Sequence, residues 1–191
     1  AAALAAGVSL FVSGGGDEDG AEPAATITGI SGAPNPYPNT GPLDPNRPGI
    51  GEPAPNFALG DARDTSVVRQ LADYRGKAVV VNWYASWCGP CKAEIPDFLK
   101  AQEALGDQVV FLGVNFLESQ DKAVGILDEL GADYPAVLDA SGSVADHYRV
   151  AGMPSTFFVD ADGILRAMKT GRVPEEELGK FLTDSGVPYT P

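Results

Sequence analysis

The chain has 191 residues, a formal net charge of −13, two cysteines and one histidine. That length suits one globular domain with a tail. The acidity speaks against a nucleic-acid binder, which needs a basic face to displace counterions, and two cysteines cannot make a disulfide-rich scaffold. With His147 as its single imidazole the chain lacks the four N/S ligands of a structural zinc site. The two thiolates could still hold a soft ion such as Cu(I).

Residues 1–12, AAALAAGVSLFV, are uncharged and apolar, but shorter than the roughly 20 residues of a spanning helix. Two readings stand: the outer end of an N-terminal membrane anchor, or the core of a signal segment with small residues in VSGGG near a cleavage point. An Ala-rich tail without function is the plain alternative. No cysteine follows the apolar run, so a lipid-anchored cysteine is excluded. Residues 13–50 carry seven prolines, a GGG and an acidic DED patch, and read as an extended linker to a domain at 51–191.

Within 51–191 the β-branched and aromatic runs predict strands at Ala78 to Tyr84, Val109 to Phe116, Ala136 to Leu138, Ser155 to Asp160 and Ile164 to Lys169. Helices are predicted at Gly89 to Ala104, Ser119 to Leu130, Val144 to Tyr148 and Pro174 to Thr183. The continuous AVVVNWY suits a strand covered on both faces, and TFFVDADGILRAM a hairpin turning at Asp160 to Gly163. Strand–helix alternation closed by a hairpin and a helix gives an α/β three-layer domain. His147, in SVADHYRV, reads as an exposed bystander.

Cys88 and Cys91 fall between a buried strand and a helix. Cys88 then stands at the helix N-terminus, where free N–H groups and the helix dipole favour a thiolate. Pro90 occupies the first turn, where its missing N–H costs nothing. The spacing lets both sulfurs join in one disulfide, so that Cys88 attacks and Cys91, one turn in, resolves.

WCGPC with the flanking VVVNWYAS resembles the thioredoxin superfamily. Residues 51 to about 183 are similar to its membrane-anchored, extracytoplasmic TlpA/ResA-like branch of thiol–disulfide oxidoreductases. The match rests on GEPAPNFAL, LADYRGKAVVVNWYASWC, VNFLES with YPAVLDASGSVADHYRV, and VAGMPSTFFVDADG. The resemblance implies a thioredoxin-like fold, a central mixed sheet flanked by helices, with the branch's insertion at 114–150. It implies that Cys88 is the nucleophile and Cys91 the resolving thiol. Pro154 would be a cis-proline, with Met153 exposing backbone groups to a client strand. Trp87, Gly89 and Pro90 would lie on the client-binding surface, although a lone Trp87 could equally be core. Pro96 should kink the active-site helix.

Asn82 stands six residues before Cys88, where cytoplasmic thioredoxin has a buried Asp. Glu94, six residues after Cys88, matches an acidic residue of the ResA-like branch and shares a helix face with Cys91. A desolvated Glu94 could carry the proton of Cys91; the alternative is a surface glutamate paired with Lys92 or Lys100.

The expected activity is reduction of client disulfides, of the cytochrome c or copper-site maturation type, outside the cytoplasm of a bacterium. The thiol pair would need no cofactor and would be recharged by a membrane thiol donor. The chain would be N-terminally anchored, or periplasmic or secreted after cleavage. The rivals are an oxidase or isomerase running the same chemistry, and a docking subunit held in a membrane complex through residues 1–50. GEPAPNFAL is shared with peroxiredoxins, but their motif needs Pro at 81 and Thr or Ser at 85; Val81 and Ala85 stand there.

Overall fold

In the computed structural model, residues 48–191 are described. The segment 1–12 and nearly all of the linker lie outside them.

The elements in chain order are β1 (Ala58–Gly60), β2 (Val68–Gln70), β3 (Ala78–Tyr84), α1 (Gly89–Leu105), β4 (Val109–Phe116), α2 (Gln120–Leu130), β5 (Ala136–Asp139), α3 (Ser143–His147), β6 (Ser155–Val159), β7 (Leu165–Thr170) and α4 (Glu175–Asp184). Five strands form one mixed sheet in the order β5-β4-β3-β6-β7. β3, β4 and β5 run parallel, whereas β6 and β7 are antiparallel to their neighbours. The stretch between β4 and β6 supplies α2, β5 and α3. Short β1 and β2 pair only with each other.

β3 is buried along its whole length. Alternation divides its side chains between the two faces. Val80 and Tyr84 enter a core with Ile95 and Phe98 of α1, Leu127 of α2 and Leu178 of α4. Val79, Val81 and Trp83 enter the opposite core with Leu71, Phe157 and Tyr148. Each buried aliphatic side chain contributes about 1.5–3 kcal/mol, so both faces of β3 hold helices or loops onto the sheet. Asn82 shares the parity of Val80 and Tyr84 and therefore faces α1.

The β6–β7 turn falls where DADG predicts it. Gly163 N donates to Asp160 O at 2.9 Å, and Asp160 Oδ1 accepts from Asp162 N and Ile164 N. The chain entering the domain joins the same hairpin: Gly51 N donates to Leu165 O and Ala54 N to Gly163 O. His147 corrects the expectation of an exposed side chain. It is half-buried and packs edge-on to Tyr148, and burial lowers its pKa.

Candidate active site

β3 ends at Tyr84 and α1 begins at Gly89, so the four residues between them are placed by the centre of the sheet. Cys88 N donates to Ala85 O at 3.1 Å, closing the turn. Cys88 is the N-cap of α1; its sulfur accepts from Cys91 N at 3.2 Å and its carbonyl from Lys92 N at 3.2 Å. A sulfur in this position lies in the positive end of the helix dipole, which stabilises a thiolate. Pro90 sits in the first turn, and Gly89 and Pro90 are exposed. α1 continues through Pro96, an exposed position inside the helix.

Cys88 and Cys91 are joined in a disulfide, with Cα atoms 5.3 Å apart. In this oxidised form Cys88 is only 2% exposed and Cys91 is fully buried. What little exposure the pair retains belongs to Cys88. Trp87 is 66% exposed, which settles the choice between surface and core. Met153–Pro154 is a cis peptide. It immediately precedes β6, whose Ser155 pairs with Trp83 near the end of β3, so it stands at the cysteine end of the sheet. Pro154 is buried and Met153 half-buried.

Glu94 is fully buried, so the alternative of a surface ion pair fails. Lys92 bonds Glu129, and Lys100 bonds Asp97 and Glu175. Glu94 Oε1 accepts from Asn82 Nδ2 at 2.8 Å, and Oε2 from Val173 N at 2.9 Å. Asn82 Nδ2 also donates to Thr156 Oγ1 at 3.0 Å. Burial raises the Glu94 pKa to about 7, against the lowering effect of the Val173 and Asn82 bonds and of the Arg172 charge. A carboxyl near neutrality on the helix face of the inner cysteine can both accept and release a proton at working pH.

Glu118 did not emerge from the sequence. It follows β4, and its carboxylate accepts from Ser86 N (2.7 Å), Ser86 Oγ (2.6 Å) and Asn115 Nδ2 (3.0 Å). The local signal was an acidic residue two positions past the end of a buried strand, which has no specificity without its partner 32 residues earlier.

A separate cavity of about 820 Å³ is lined by Lys77, Val109, Asp107 and Asp133, among others. It opens at the other end of β3 and β4 and contributes nothing to the dithiol. Among the described residues, no helix is long and apolar enough to cross a membrane.

The profile of the AhpC/TSA family matches residues 50–168. The chain belongs to the AhpC/TSA family. It is 31% identical over 134 residues to the thiol–disulfide oxidoreductase ResA of Geobacillus kaustophilus, covering 70% of this chain and 76% of that one. To the thiol:disulfide interchange protein DsbE of Escherichia coli K12 it is 37% identical over 136 residues, covering 68% and 71%. The crystal structure of a putative DsbE from Chlorobium tepidum superimposes with a TM-score of 0.67 at 28% identity, over 72% of this chain and 98% of that one. These likenesses place this member of the family with the thioredoxin-like thiol–disulfide oxidoreductases of ResA and DsbE type. At the positions where a peroxidase motif needs Pro and a hydroxyl residue, Val81 and Ala85 are fully buried and carry no hydroxyl.

Proposed function

We propose that the domain reduces disulfides of client proteins outside the cytoplasm. The observation that carries the reading is the Cys88–Cys91 disulfide at the N-terminus of α1, with buried Glu94 one turn beyond Cys91. In the dithiol form the Cys88 thiolate attacks a client sulfur. The client S–S bond breaks, a mixed disulfide forms on Cys88, and the first client sulfur leaves as a thiolate. Glu94 then takes the proton of Cys91. The Cys91 thiolate attacks Cys88 Sγ, the internal disulfide forms, and the second client sulfur leaves with the electron pair. Two client thiols and one oxidised enzyme result, so the sulfur pair itself stores the electrons without a further cofactor.

Trp87, Gly89, Pro90, Met153 and Pro154 form the surface offered to the client in this reading. Reduction is favoured because Gly-Pro between the cysteines is the thioredoxin dipeptide; thioredoxin's couple lies near −270 mV, against about −120 mV for a strong oxidant. A membrane thiol carrier would return the pair to the dithiol. The apolar segment at 1–12 supports N-terminal attachment at the extracytoplasmic face, and the resemblance of the sequence motifs to the TlpA/ResA-like branch supports clients of the cytochrome c maturation kind.

The test is Cys91→Ser in native membranes. Clients should accumulate as mixed disulfides on Cys88, because the thiol that releases them is gone. No adduct, under conditions where the unaltered protein turns over, would sink the exchange mechanism. A potential near or above about −150 mV would reverse the direction.

A further inference from the structure

Two exposed apolar side chains flank the Ser86–Glu118 bond. Trp87 follows Ser86 and is 66% exposed; Leu117 precedes Glu118 and is 53% exposed. Only Ile50 and Val67 are comparably exposed among the large apolar residues of the described chain. Trp87 adjoins Cys88 in the chain, and an exposed apolar side chain next to a reactive sulfur is a place where a polypeptide can bury surface.

The turn that carries Leu117 is held in place from three directions. Leu117 has φ of 56°, the left-handed region that glycine adopts freely and leucine does not. Its N–H donates to Asp139 O at 3.2 Å, and its side chain lies against Gly142, where an added Cβ would stand 3.2 Å from Leu117 Cδ2. Glu118 then accepts its three bonds, two from Ser86 and one from Asn115, whose Cα pairs with that of Tyr84. Burial alone would raise the Glu118 pKa, but these bonds outweigh it and hold the carboxyl below its ordinary range. The anchor therefore stays charged at neutral pH, and charge-assisted bonds are the stronger kind. A strained backbone conformation retained at such a place points to a use for the side chain it projects.

We propose that Glu118 is a positioning residue that locks the cysteine-bearing loop to the turn after β4, so that Trp87 and Leu117 form one apolar wall. The occupant is the client chain beside its disulfide, with an apolar side chain next to the cysteine. This rests on the oxidoreductase reading above and adds its specificity. Glu118 touches no reacting atom; it acts through Ser86.

The experiment uses three disulfides: oxidised glutathione, and two synthetic peptides identical except that leucine or serine flanks the disulfide cysteine. The unaltered protein should exchange with the leucine peptide at a kcat/KM about tenfold above the serine peptide, the effect of burying one apolar side chain in part. Glu118→Ala and Leu117→Ser should each bring that ratio close to one, chiefly through KM. Glu118→Gln can still accept from Ser86 N and donate to Ser86 Oγ, so it should recover part of the preference; a role through charge alone would give no recovery. Leu117→Gly relieves the backbone strain, so its melting temperature should hold or rise while the preference is lost. That opposition is what a purely structural turn would not produce.

Equal rates on both peptides with the unaltered protein, or a preference that survives Leu117→Ser, would overturn the wall. So would a preference retained in folded Glu118→Ala. If the unaltered protein exchanges with none of the three disulfides, the oxidoreductase reading fails and the wall falls with it.

Discussion

Asn82 Nδ2 lies 2.8 Å from Glu94 Oε1, with Asn82 2% exposed and Glu94 fully buried. The amide can donate to the carboxylate but cannot take its proton, so in the proposed mechanism the proton of the resolving step passes between Cys91 and Glu94. Asn82→Ala removes a bond that favours the charged form. The Glu94 pKa should therefore rise above about 7, and the acid limb of the resolving step should move to higher pH. Rapid-mixing measurement of mixed-disulfide release across pH checks this. An unchanged limb would remove Glu94 from the proton path.

Burial of Glu94 also has a cost that varies with pH. Its pKa is raised from 4.5 to about 7 on folding. Below about pH 4.5 both folded and unfolded chains are protonated and nothing is lost. Between about 4.5 and 7 the unfolded chain releases the proton while the folded chain keeps it, so stability falls as pH rises. Above about 7 the loss is complete, on the order of 3 kcal/mol. Glu94→Gln should flatten this slope, and the difference from the parent should grow from pH 4.5 to 7. Denaturant melts of the oxidised protein at stepped pH measure it. A parallel pair of curves would contradict the shift.

Arg172 gives a control from the other side of the site. Its guanidinium bonds Asp97 at 3.0 Å, and its charge lowers the Glu94 pKa, whereas the Asp97 charge raises it. Arg172→Ala should push the Glu94 titration up, and Asp97→Asn should bring it down. Infrared or NMR titration of the Glu94 carboxyl reads both directly. Arg172 is half exposed, so the shifts should be small and should shrink in high salt. Movement in the same direction in both variants would indicate loop rearrangement instead of charge.

The sequence revealed the centre of the sheet more fully than its margins, and the reason is physical. AVVVNWY is buried on both faces, so its composition alone marks a strand, and β3 and β4 fall where the runs predict them. β1 and β2 are three half-buried residues each, ALG and VRQ, with no period to read. They are held by distant partners such as Asp61 with Arg69, and Asn56 with Gln70. Spacing put Glu94 on the face of Cys91, but its burial depends on Val173, 79 residues away. Ser86 and Glu118 meet only because β3 and β4 are parallel neighbours, a relation absent from either segment alone.

Gly113 tests whether the floor beneath the dithiol tolerates added volume. It lies on β4, paired with Asn82 and Ala136, in a backbone conformation that any residue can adopt. What constrains it is space: a Cβ there would stand 2.9 Å from Tyr84 Cε1 and 3.3 Å from Tyr134 Cε2. Both rings belong to the core that contains Cys88, Cys91 and Ile95. The Tyr84 hydroxyl is further fixed to Ala123 O at 3.1 Å, so that ring cannot simply swing aside. Gly113→Ala should therefore destabilise by about 1–3 kcal/mol, the usual effect of overpacking. Because the displaced rings press on α1, the variant should also change the disulfide's reduction rate by a small thiol such as dithiothreitol. Tyr84→Phe in the same background frees the ring from Ala123, and should recover stability relative to Gly113→Ala alone. Simple additivity of the two substitutions would show that the rings do not transmit the strain.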